Sequence, residues 1–141
     1  MIIKQISVFI ENRPGTLAEV LTVLGGHNIN IRALSVADTA DFGILRLIVN
    51  EPEKVERLLK EASLAVKITP VLTMKISDKP GGLLADVKKL TAAGINIEYV
   101  YAFAASAAEE ARVVMKVDDL AKAVKVINGE NAESEGPGFY W

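Results

Sequence analysis

A repeat runs through this chain and restricts its possible folds more than any other feature of the sequence. At a shift of 66 residues, Asn-Arg-Pro-Gly-Thr-Leu at 12–17 falls on Asp-Lys-Pro-Gly-Gly-Leu at 78–83, so that both the proline and the glycine coincide. Further coincidences at this shift are Leu90 on Leu24, Ile95-Asn96-Ile97 on Ile29-Asn30-Ile31, Arg112 on Arg46 and Val124 on Leu58. So many matches at one unbroken offset predict two copies of one unit, that is, a tandem of two similar domains.

Each copy of the six-residue segment stands between an alternating apolar run and a run of helical period. Ile6, Val8 and Ile10 alternate with other residues, which predicts a half-buried strand, and apolar residues at helical spacing follow the glycine. Proline suits a first helical turn, and glycine lets a backbone or a ligand approach closely. Asn12 and Asp78, ahead of the prolines, are residue types that often cap a helix. Each segment is therefore predicted to be a strand-to-helix turn.

A turn of this kind is suited to a small molecule that carries an anionic group. The helix start offers unpaired N–H groups and a partial positive charge, both of which complement a carboxylate. The carboxylate of Asp78 can in turn accept a charge-assisted hydrogen bond from an ammonium group. A Pro-Gly turn is also common as a purely structural feature, and the repetition is what favours a binding function.

The apolar pattern predicts the order strand, helix, strand, strand, helix, strand in the first copy. We expect a bulge near Arg32-Ala33, a first helix that ends at Gly25-Gly26, and a second helix that begins with Pro52. A short strand at 66–68 completes this copy, and Pro70 separates it from the next. The second copy follows the same order, with Gly94 at the end of its first helix, but past Asn128-Gly129 the alternation stops. Its last strand is therefore predicted to be weak or missing.

These elements predict an α+β fold made of two ferredoxin-like units, each with its helices on one face of an antiparallel sheet. The predicted boundaries are 1–70 for the first domain, 71–130 for the second and 131–141 for a C-terminal tail.

Composition excludes several classes of function. Half of the 141 residues are apolar, which suffices for a packed core, and a net charge of −2 provides no basic surface for nucleic acid. The chain has no cysteine, and its single histidine, His27, lacks the partners of a metal site. No apolar run is long enough to span a bilayer. We therefore expect a cytoplasmic protein that binds no membrane, nucleic acid, metal or cofactor and has no catalytic residues.

The pattern strand–(Asn/Asp)-x-Pro-Gly-x-Leu–helix–Asn-Ile–strand, present twice, resembles the ACT domain, and two copies in a short chain resemble the stand-alone tandem ACT proteins. The resemblance covers roughly residues 2–128. It implies a homodimeric protein that binds an amino acid and regulates a separate enzyme of amino-acid metabolism. Family ligands commonly lie where two ACT units are side by side, against the first strand–helix loop of one unit. The contacts implied for this chain are Asn12, Arg13, Pro14, Gly15, Thr16, Leu17, Asp78, Lys79, Pro80, Gly81, Gly82 and Leu83, with Asn30 and Asn96 facing the partner unit.

Asn12 stands where the family often has aspartate, so two unequal sites are expected, one of which dominates. Tyr99, Tyr101 and Phe103 alternate along one strand of the second copy. They either line a ligand pocket or a subunit contact, or fill space between sheets. Two alternatives therefore remain: a regulatory or structural subunit that needs no ligand and docks onto a partner enzyme through this strand, and a small hydrolase of the ferredoxin-like type, for which Arg13 is the candidate residue.

Overall fold

The computed structural model describes residues 1–38, 41–103 and 110–129, and the predicted tail at 131–141 lies outside this range. The chain forms two compact units. We call Lys4–Thr69 the N-terminal unit, and Met1–Ile3 together with the chain from Pro70 onward the C-terminal unit. The elements are β1 (Ile2–Glu11), α1 (Thr16–Gly26), β2 (Ile31–Asp38), β3 (Phe42–Val49), α2 (Pro52–Glu61), β4 (Ala65–Ser77), α3 (Gly82–Ala92), β5 (Ile97–Ala102), β6 (Glu110–Val117) and α4 (Leu120–Asn128).

The N-terminal unit contains a four-stranded sheet in the order β2-β3-β1-β4. Its strand β3 pairs antiparallel with both β1 and β2. Alternate residues of β1 and β3 pack against both helices in one buried core, whose members include Ile6, Val8, Ile10, Val20, Leu24, Leu45, Leu47, Val55 and Leu59. Because α1 and α2 share this core, both lie on the same face of the sheet. The predicted α+β arrangement is confirmed for this unit.

The C-terminal unit repeats the arrangement with its own core. Strand β6 pairs antiparallel with both β4 and β5. The buried residues of this core come from β4, β6, α3, α4 and the turn after α3, and they are Leu72, Met74, Leu90, Ile95, Val113, Met115, Val117 and Ala123. Ile97 of β5 is partly buried and packs against this core. The two cores are separate clusters, as expected for a duplicated fold.

The start of the chain supplies a strand that the sequence pattern does not show at the end of the C-terminal unit. The nitrogen of Met1 donates to the carbonyl oxygen of Thr73 at 3.1 Å, and the N–H group of Thr73 donates to the carbonyl oxygen of Met1 at 2.8 Å. Two residues that exchange both hydrogen bonds form a pair in an antiparallel ladder. The boundary predicted at residue 70 assigned Met1–Ile3 to the first domain, whereas these residues belong to the C-terminal unit.

Strand β4 is continuous through Pro70, whereas the sequence pattern predicted a separate short strand at 66–68. Proline removes one donor from a ladder, but its φ near −65° is compatible with extended backbone. Residues up to Thr69 belong to the N-terminal unit and residues from Pro70 to the C-terminal unit. One strand thus contributes to both units, and β1 does the same, with its division between Ile3 and Lys4.

The offset between the two copies is not constant. Val8 lies opposite Leu45 in the N-terminal unit, and Met74 lies opposite Val113 in the C-terminal unit. The first strands of the two units are therefore 66 residues apart, but the third strands are 68 apart. Two more residues therefore lie between equivalent positions of the second and third strands in the C-terminal unit than in the N-terminal unit.

This difference overturns two predicted correspondences. Arg112 does not match Arg46, and Val124 does not match Leu58, because both pairs assume an offset of 66 beyond the second strand. The second helices agree with an offset of 68, since α2 begins at Pro52, as predicted, and α4 begins at Leu120.

The predicted bulge near Arg32-Ala33 is confirmed. The register of β2 against β3 shifts between Ile31 and Ala33, and the register of β5 against β6 shifts between Ile97 and Tyr99. Because a bulge moves the following side chains to the other face of the sheet, it explains the phase change of the apolar pattern in both copies.

The first helices of the two units end in the same left-handed turn, but with different residues. Helix α1 continues through Gly25 and Gly26, and the residue with positive φ is Asn28, at 57°. At the equivalent place, Gly94 has a φ of 74°. In both units the next N–H group donates to a carbonyl five residues earlier at 3.0 Å. Asparagine tolerates this conformation better than most residues. Helix α1 ends at Gly26, as predicted, but the left-handed position after it belongs to Asn28 and not to a glycine, whereas the prediction of Gly94 is confirmed.

Candidate functional site

The two predicted loops adopt the same turn, which places a left-handed glycine immediately before each helix. Gly15 has φ 92° and ψ −16° ahead of α1, and Gly81 has φ 80° and ψ 0° ahead of α3. These angles are typical of the third residue of a type II turn, with proline as the second residue. In the second loop the closing hydrogen bond of that turn runs from the N–H group of Gly82 to the carbonyl oxygen of Lys79, at 3.0 Å.

This turn corrects the expected roles of its other residues. Pro14 and Pro80 lie in the turn rather than in the first helical turn, and the N-cap positions belong to the glycines. The prediction that Asn12 and Asp78 cap the helices is therefore wrong. Type II turns favour proline followed by glycine, and this preference outweighs the capping preference of a residue three positions earlier.

The start of each helix is left without a side-chain cap. No side chain hydrogen-bonds to the cap position at Gly15 or at Gly81. Among the described residues other than the two chain neighbours, no heavy atom lies within 4 Å of the place where a Cβ at either glycine would stand. The side chains within residues 1–38, 41–103 and 110–129 thus do not fill the space beside these glycines. A helix start of this kind complements an anionic group.

In the first loop, the charge of Arg13 is already engaged by two carboxylates. Its Nε lies 2.8 Å from Oε2 of Glu11, and its Nη2 lies 3.6 Å from Oε1 of Glu19. The hydrogen bond to Glu11 and then the negative charge of Glu19 raise the pKa of Arg13 above its ordinary value. The cluster has one positive and two negative charges, which does not favour an approaching carboxylate.

The second loop lacks this cluster. The residues at the equivalent positions are Ser77, Lys79 and Ala85, neither acidic partner being present. Within the described part of the chain, Asp78 and Lys79 are exposed and make no ion pair. The second loop therefore presents one carboxylate and one ammonium group next to an uncapped helix.

The two loops also differ in how the first helical residue is held. The hydroxyl of Thr16, which is buried, lies 2.8 Å from the carbonyl oxygen of Glu11 and 3.2 Å from that of Arg13, and donates to them. The equivalent residue in the second loop is Gly82, where the carbonyl group of Ser77 comes so close that a Cβ would overlap it. Only glycine fits there without a shift of the backbone.

Asn30 and Asn96 lie away from these loops within their own units. The N–H group of Asn30 donates to Oδ1 of Asn50 at 3.3 Å, and that of Asn96 donates to Oδ1 of Asp118 at 3.0 Å. Both asparagines thus stand beside the end of the third strand of their unit. The loops lie beside its beginning, because Glu11 is opposite Phe42. Within a single unit, therefore, the asparagine and the loop lie at opposite ends of the third strand.

Sequence reasoning missed an exposed apolar surface next to the first loop. Phe9 and Phe42 are 50% and 57% exposed. Phe9 lies opposite Ile44 on the face of the sheet that points away from the helices. The available signal in the sequence was that apolar residues occupy positions on both faces of these strands. The equivalent places of Phe9 and Ile44 in the C-terminal unit hold Lys75 and Arg112, which face each other across β4 and β6.

The aromatic residues of β5 and the residue after it are half-buried and make ring contacts with one another or with arginine. The ring centroids of Tyr99 and Tyr101 are 6.4 Å apart, with an angle of 23° between the planes. The guanidinium carbon of Arg112 lies 5.9 Å from the ring centroid of Phe103, a distance compatible with a cation–π contact. These side chains thus include two contacting pairs on the C-terminal unit.

Over the described residues, no helix is both long and apolar enough to cross a membrane. The same residues contain no group of three or more histidine, cysteine or acidic side chains that is able to hold a metal ion.

Comparison with known proteins gives a consistent result. The family model for an ACT domain pair matches residues 1–134. A crystal structure of a protein from Bacteroides thetaiotaomicron is 42% identical to this chain, with a TM-score of 0.85, and the match covers 91% of this chain and 88% of that chain. No curated protein matches the sequence.

More distant structures share the fold. The ligand-free regulatory subunit of aspartate kinase from Thermus thermophilus has 15% identity and a TM-score of 0.66, over 91% of this chain and 95% of that chain. The regulatory subunit of aspartate kinase from Thermus flavus has 14% identity and a TM-score of 0.62, over 91% and 94%.

Proposed function

We propose that this chain, which belongs to the family of ACT domain pairs, binds an amino acid reversibly and thereby regulates a separate enzyme of amino-acid metabolism. The observation that carries the proposal is the open, uncapped helix start at Gly15 and at Gly81, repeated in two copies of one fold. Two structures of the same fold are regulatory subunits of aspartate kinase, which supports a regulatory rather than a catalytic role.

The second loop is the better match to an amino acid. Asp78 can accept hydrogen bonds from the ligand ammonium, and the start of α3, with Lys79 beside it, can attract the ligand carboxylate. In the first loop, Asn12 carries no charge, and Arg13 is already paired with Glu11 and Glu19. We therefore assign the dominant site to the second loop, Asp78–Leu83, and a weaker one to the first, Asn12–Leu17.

The rest of the proposed assembly follows the family. The chain is a cytoplasmic homodimer, and the ligand lies where two ACT units are side by side. In this arrangement Asn30 and Asn96 of one unit face the loop of the partner unit, which explains why no single unit brings these residues together. Micromolar-to-millimolar affinity, about 4 to 8 kcal/mol, is sufficient for such regulation.

Isothermal titration calorimetry with each of the twenty common amino acids tests the proposal. We expect one or a few of them to bind. The N-acetyl derivative and the amide of a binding amino acid, which each lack one charged group, serve as matched controls and should bind more weakly. Absence of binding by all twenty at concentrations up to about 10 mM, well above the expected range, would contradict the proposal.

A specific observation favours a second function, docking onto a partner enzyme without a ligand. Phe9 and Phe42 expose an apolar surface on the N-terminal unit, and exposed patches of this kind often mark interaction sites. Lys75 occupies the equivalent of Phe9 in the other unit, so Phe9→Lys is compatible with the fold. Under this alternative, no amino acid raises the melting temperature, and Phe9→Lys abolishes regulation of the partner enzyme while stability is retained.

A further inference from the structure

The C-terminal unit carries two cationic side chains next to each other on the face of its sheet that points away from the helices. Lys75 of β4 lies opposite Arg112 of β6 in the antiparallel register. Their neighbours Met74 and Val113 belong to the core that α3 and α4 share, so the alternation along each strand puts Lys75 and Arg112 on the other face. The ring of Phe103, whose centroid lies 5.9 Å from the guanidinium carbon of Arg112, extends this row.

We call Lys75, Arg112 and Phe103 the cationic row. Lys75 is exposed, and Arg112 and Phe103 are half-buried. The next row along the same strands holds Thr73 and Val114, which are only 2% and 0% exposed. Another molecule or chain segment can therefore reach this face of the unit at the cationic row.

The N-terminal unit has no charges at the equivalent positions. Phe9 of β1 and Ile44 of β3 lie opposite each other there. Like charges that are directly opposite on neighbouring strands repel each other, and an anionic group that lies across both offsets this repulsion. The substitution of two apolar residues by Lys75 and Arg112 therefore favours an acidic partner for the C-terminal unit alone.

The chain that follows α4 has the complementary chemistry. Residues 130–141 contain three acidic and three aromatic residues and no lysine or arginine. These six residues are Glu130, Glu133, Glu135, Phe139, Tyr140 and Trp141. In the N-terminal unit, by contrast, α2 leads into strand β4. The unit that carries the cationic row is thus also the unit that is followed by an acidic and aromatic segment.

The direction of α4 brings the start of this segment towards the correct end of the sheet. Helix α4 follows β6 closely and packs on the same core, so it runs back along the strand towards residue 110. Arg112 lies near that end of β6. Packed layers are about 10 Å apart, and a chain of the length of 130–141 spans about 40 Å when extended. The segment is therefore long enough to pass around the sheet and reach the cationic row.

We propose that residues 130–141 bind across the cationic row of their own chain, with glutamate carboxylates next to Lys75 and Arg112 and the aromatic end near Phe103. Charge-assisted contacts orient the segment, and contacts between aromatic rings add apolar area. A segment bound in this way covers the surface through which β5 would otherwise dock onto a partner enzyme.

The fluorescence of Trp141 in the full chain tests the proposal, because this residue is the only tryptophan. We expect acrylamide to quench it less at low salt than at about 1 M, where charges are screened beyond about 3 Å. Lys75→Glu should increase quenching by shifting the equilibrium towards the released segment about two- to fivefold, the range for an exposed charge pair. Lys88→Glu is the matched control, because it makes the same charge change at an exposed position of α3, and it should leave quenching unchanged.

A variant of the segment itself protects the test against damage to the sheet. Glu133→Gln combined with Glu135→Gln leaves every described residue unchanged and should also increase the quenching of Trp141. In this variant the NMR signals of Lys75 and Arg112 should shift, whereas those of Lys88 should not. Unchanged signals at Lys75 and Arg112 would overturn the proposal, and so would equal effects of Lys75→Glu and Lys88→Glu on quenching.

Other occupants of the cationic row give different results in the same measurements. Protection of Trp141 that increases with protein concentration would show that the segment binds a second copy of the chain, which contradicts the proposal. Quenching of Trp141 in the full chain as strong as in a free peptide of residues 130–141 would show that the segment is released. The cationic row would then be left to an acidic partner protein, and the proposal would be overturned.

Discussion

The carbonyl oxygen of Ser77 occupies the space that a Cβ atom at Gly82 would need. In the N-terminal unit the equivalent residue is Thr16, whose hydroxyl lies 2.8 Å from the carbonyl oxygen of Glu11. One loop is therefore closed by a side-chain hydrogen bond and the other by direct contact of backbone with backbone. This difference decides which substitutions each loop tolerates.

We expect Gly82→Ala to destabilise the protein by about 1–3 kcal/mol, the usual cost of forcing an extra group into a packed place. Helix propensity alone would predict the opposite effect on stability, because it favours alanine over glycine. Gly25→Ala is the matched control, because Gly25 lies in α1 and no described atom outside its own helix backbone and chain neighbours comes within 4 Å of its Cβ position. It should stabilise by about 0.4–1 kcal/mol. Urea denaturation measures both effects, and a stabilising Gly82→Ala would contradict the described geometry.

The shared left-handed turn at Asn28 and Gly94 predicts a graded response to substitution. Gly94→Ala should cost about 1–2 kcal/mol because its φ of 74° is unfavourable for a residue with a Cβ. Gly94→Asn should cost less, since asparagine already holds the equivalent place in the N-terminal unit. Thermal and urea denaturation of the two variants provide the comparison. An asparagine variant that is less stable than the alanine variant would show that the two turns are not equivalent.

Asp78 carries the charge that we assign to recognition of the ligand ammonium. Asp78→Asn keeps the size of the side chain and should weaken binding of the amino acid about 10- to 100-fold, as expected for loss of a charged hydrogen-bond partner. The control is Asn12→Ala in the first loop, which should change the affinity of the dominant site by less than about threefold. Calorimetry with the amino acid that binds best gives both numbers. A larger loss of affinity with Asn12→Ala than with Asp78→Asn would assign the dominant site to the first loop.

The ion pair between Lys4 on β1 and Glu53 on α2 predicts a pH dependence. The hydrogen bond from Lys4 lowers the pKa of Glu53 from an ordinary value of 4.5. Because the folded state binds this proton more weakly than the unfolded state, the pair stabilises the fold above pH 4.5. The contribution is lost as the pH falls through the lower, folded pKa.

Both side chains are exposed, so Glu53→Gln should cost only about 0.2–1 kcal/mol at pH 7. The difference from the wild type should disappear on acidification below the folded pKa, and salt at about 1 M should reduce it at neutral pH. Urea denaturation across this pH range measures the difference, and an NMR titration locates the carboxyl pKa. A difference that grows as the pH falls would contradict the assignment.

Much of the local structure was predictable. Ile6, Val8 and Ile10 form a strand with one buried face, the bulge appears near Arg32, and α2 begins at Pro52. These features depend on interactions among residues a few positions apart, which leave a clear periodicity. The helix starts were harder to predict, because the preference for a capping residue competes there with the preference for a type II turn. Asn12 is a good capping residue, but the type II turn moves the cap to Gly15.

The sequence alone indicated which loop residues form the candidate site. It did not show that the two loops differ in the charges around them. The position of Glu19 opposite Arg13 depends on how the first turn of α1 lies against the end of β1. The exposure of Phe9 likewise depends on which face of the sheet is left uncovered. Neither property leaves a periodic signal in the sequence.

The amino-acid sequence by itself determined that this protein is a doubled α+β fold with two matching strand-to-helix turns, because apolar periodicity and turn chemistry act over short stretches of chain. Only the tertiary structure decided that Met1–Ile3 closes the sheet of the C-terminal unit, and that the second copy is displaced by two further residues beyond β5. The physical reason is that backbone hydrogen bonds pair strands. Their N–H and C=O groups are nearly the same in every residue, so the sequence does not record which strand a given edge will accept.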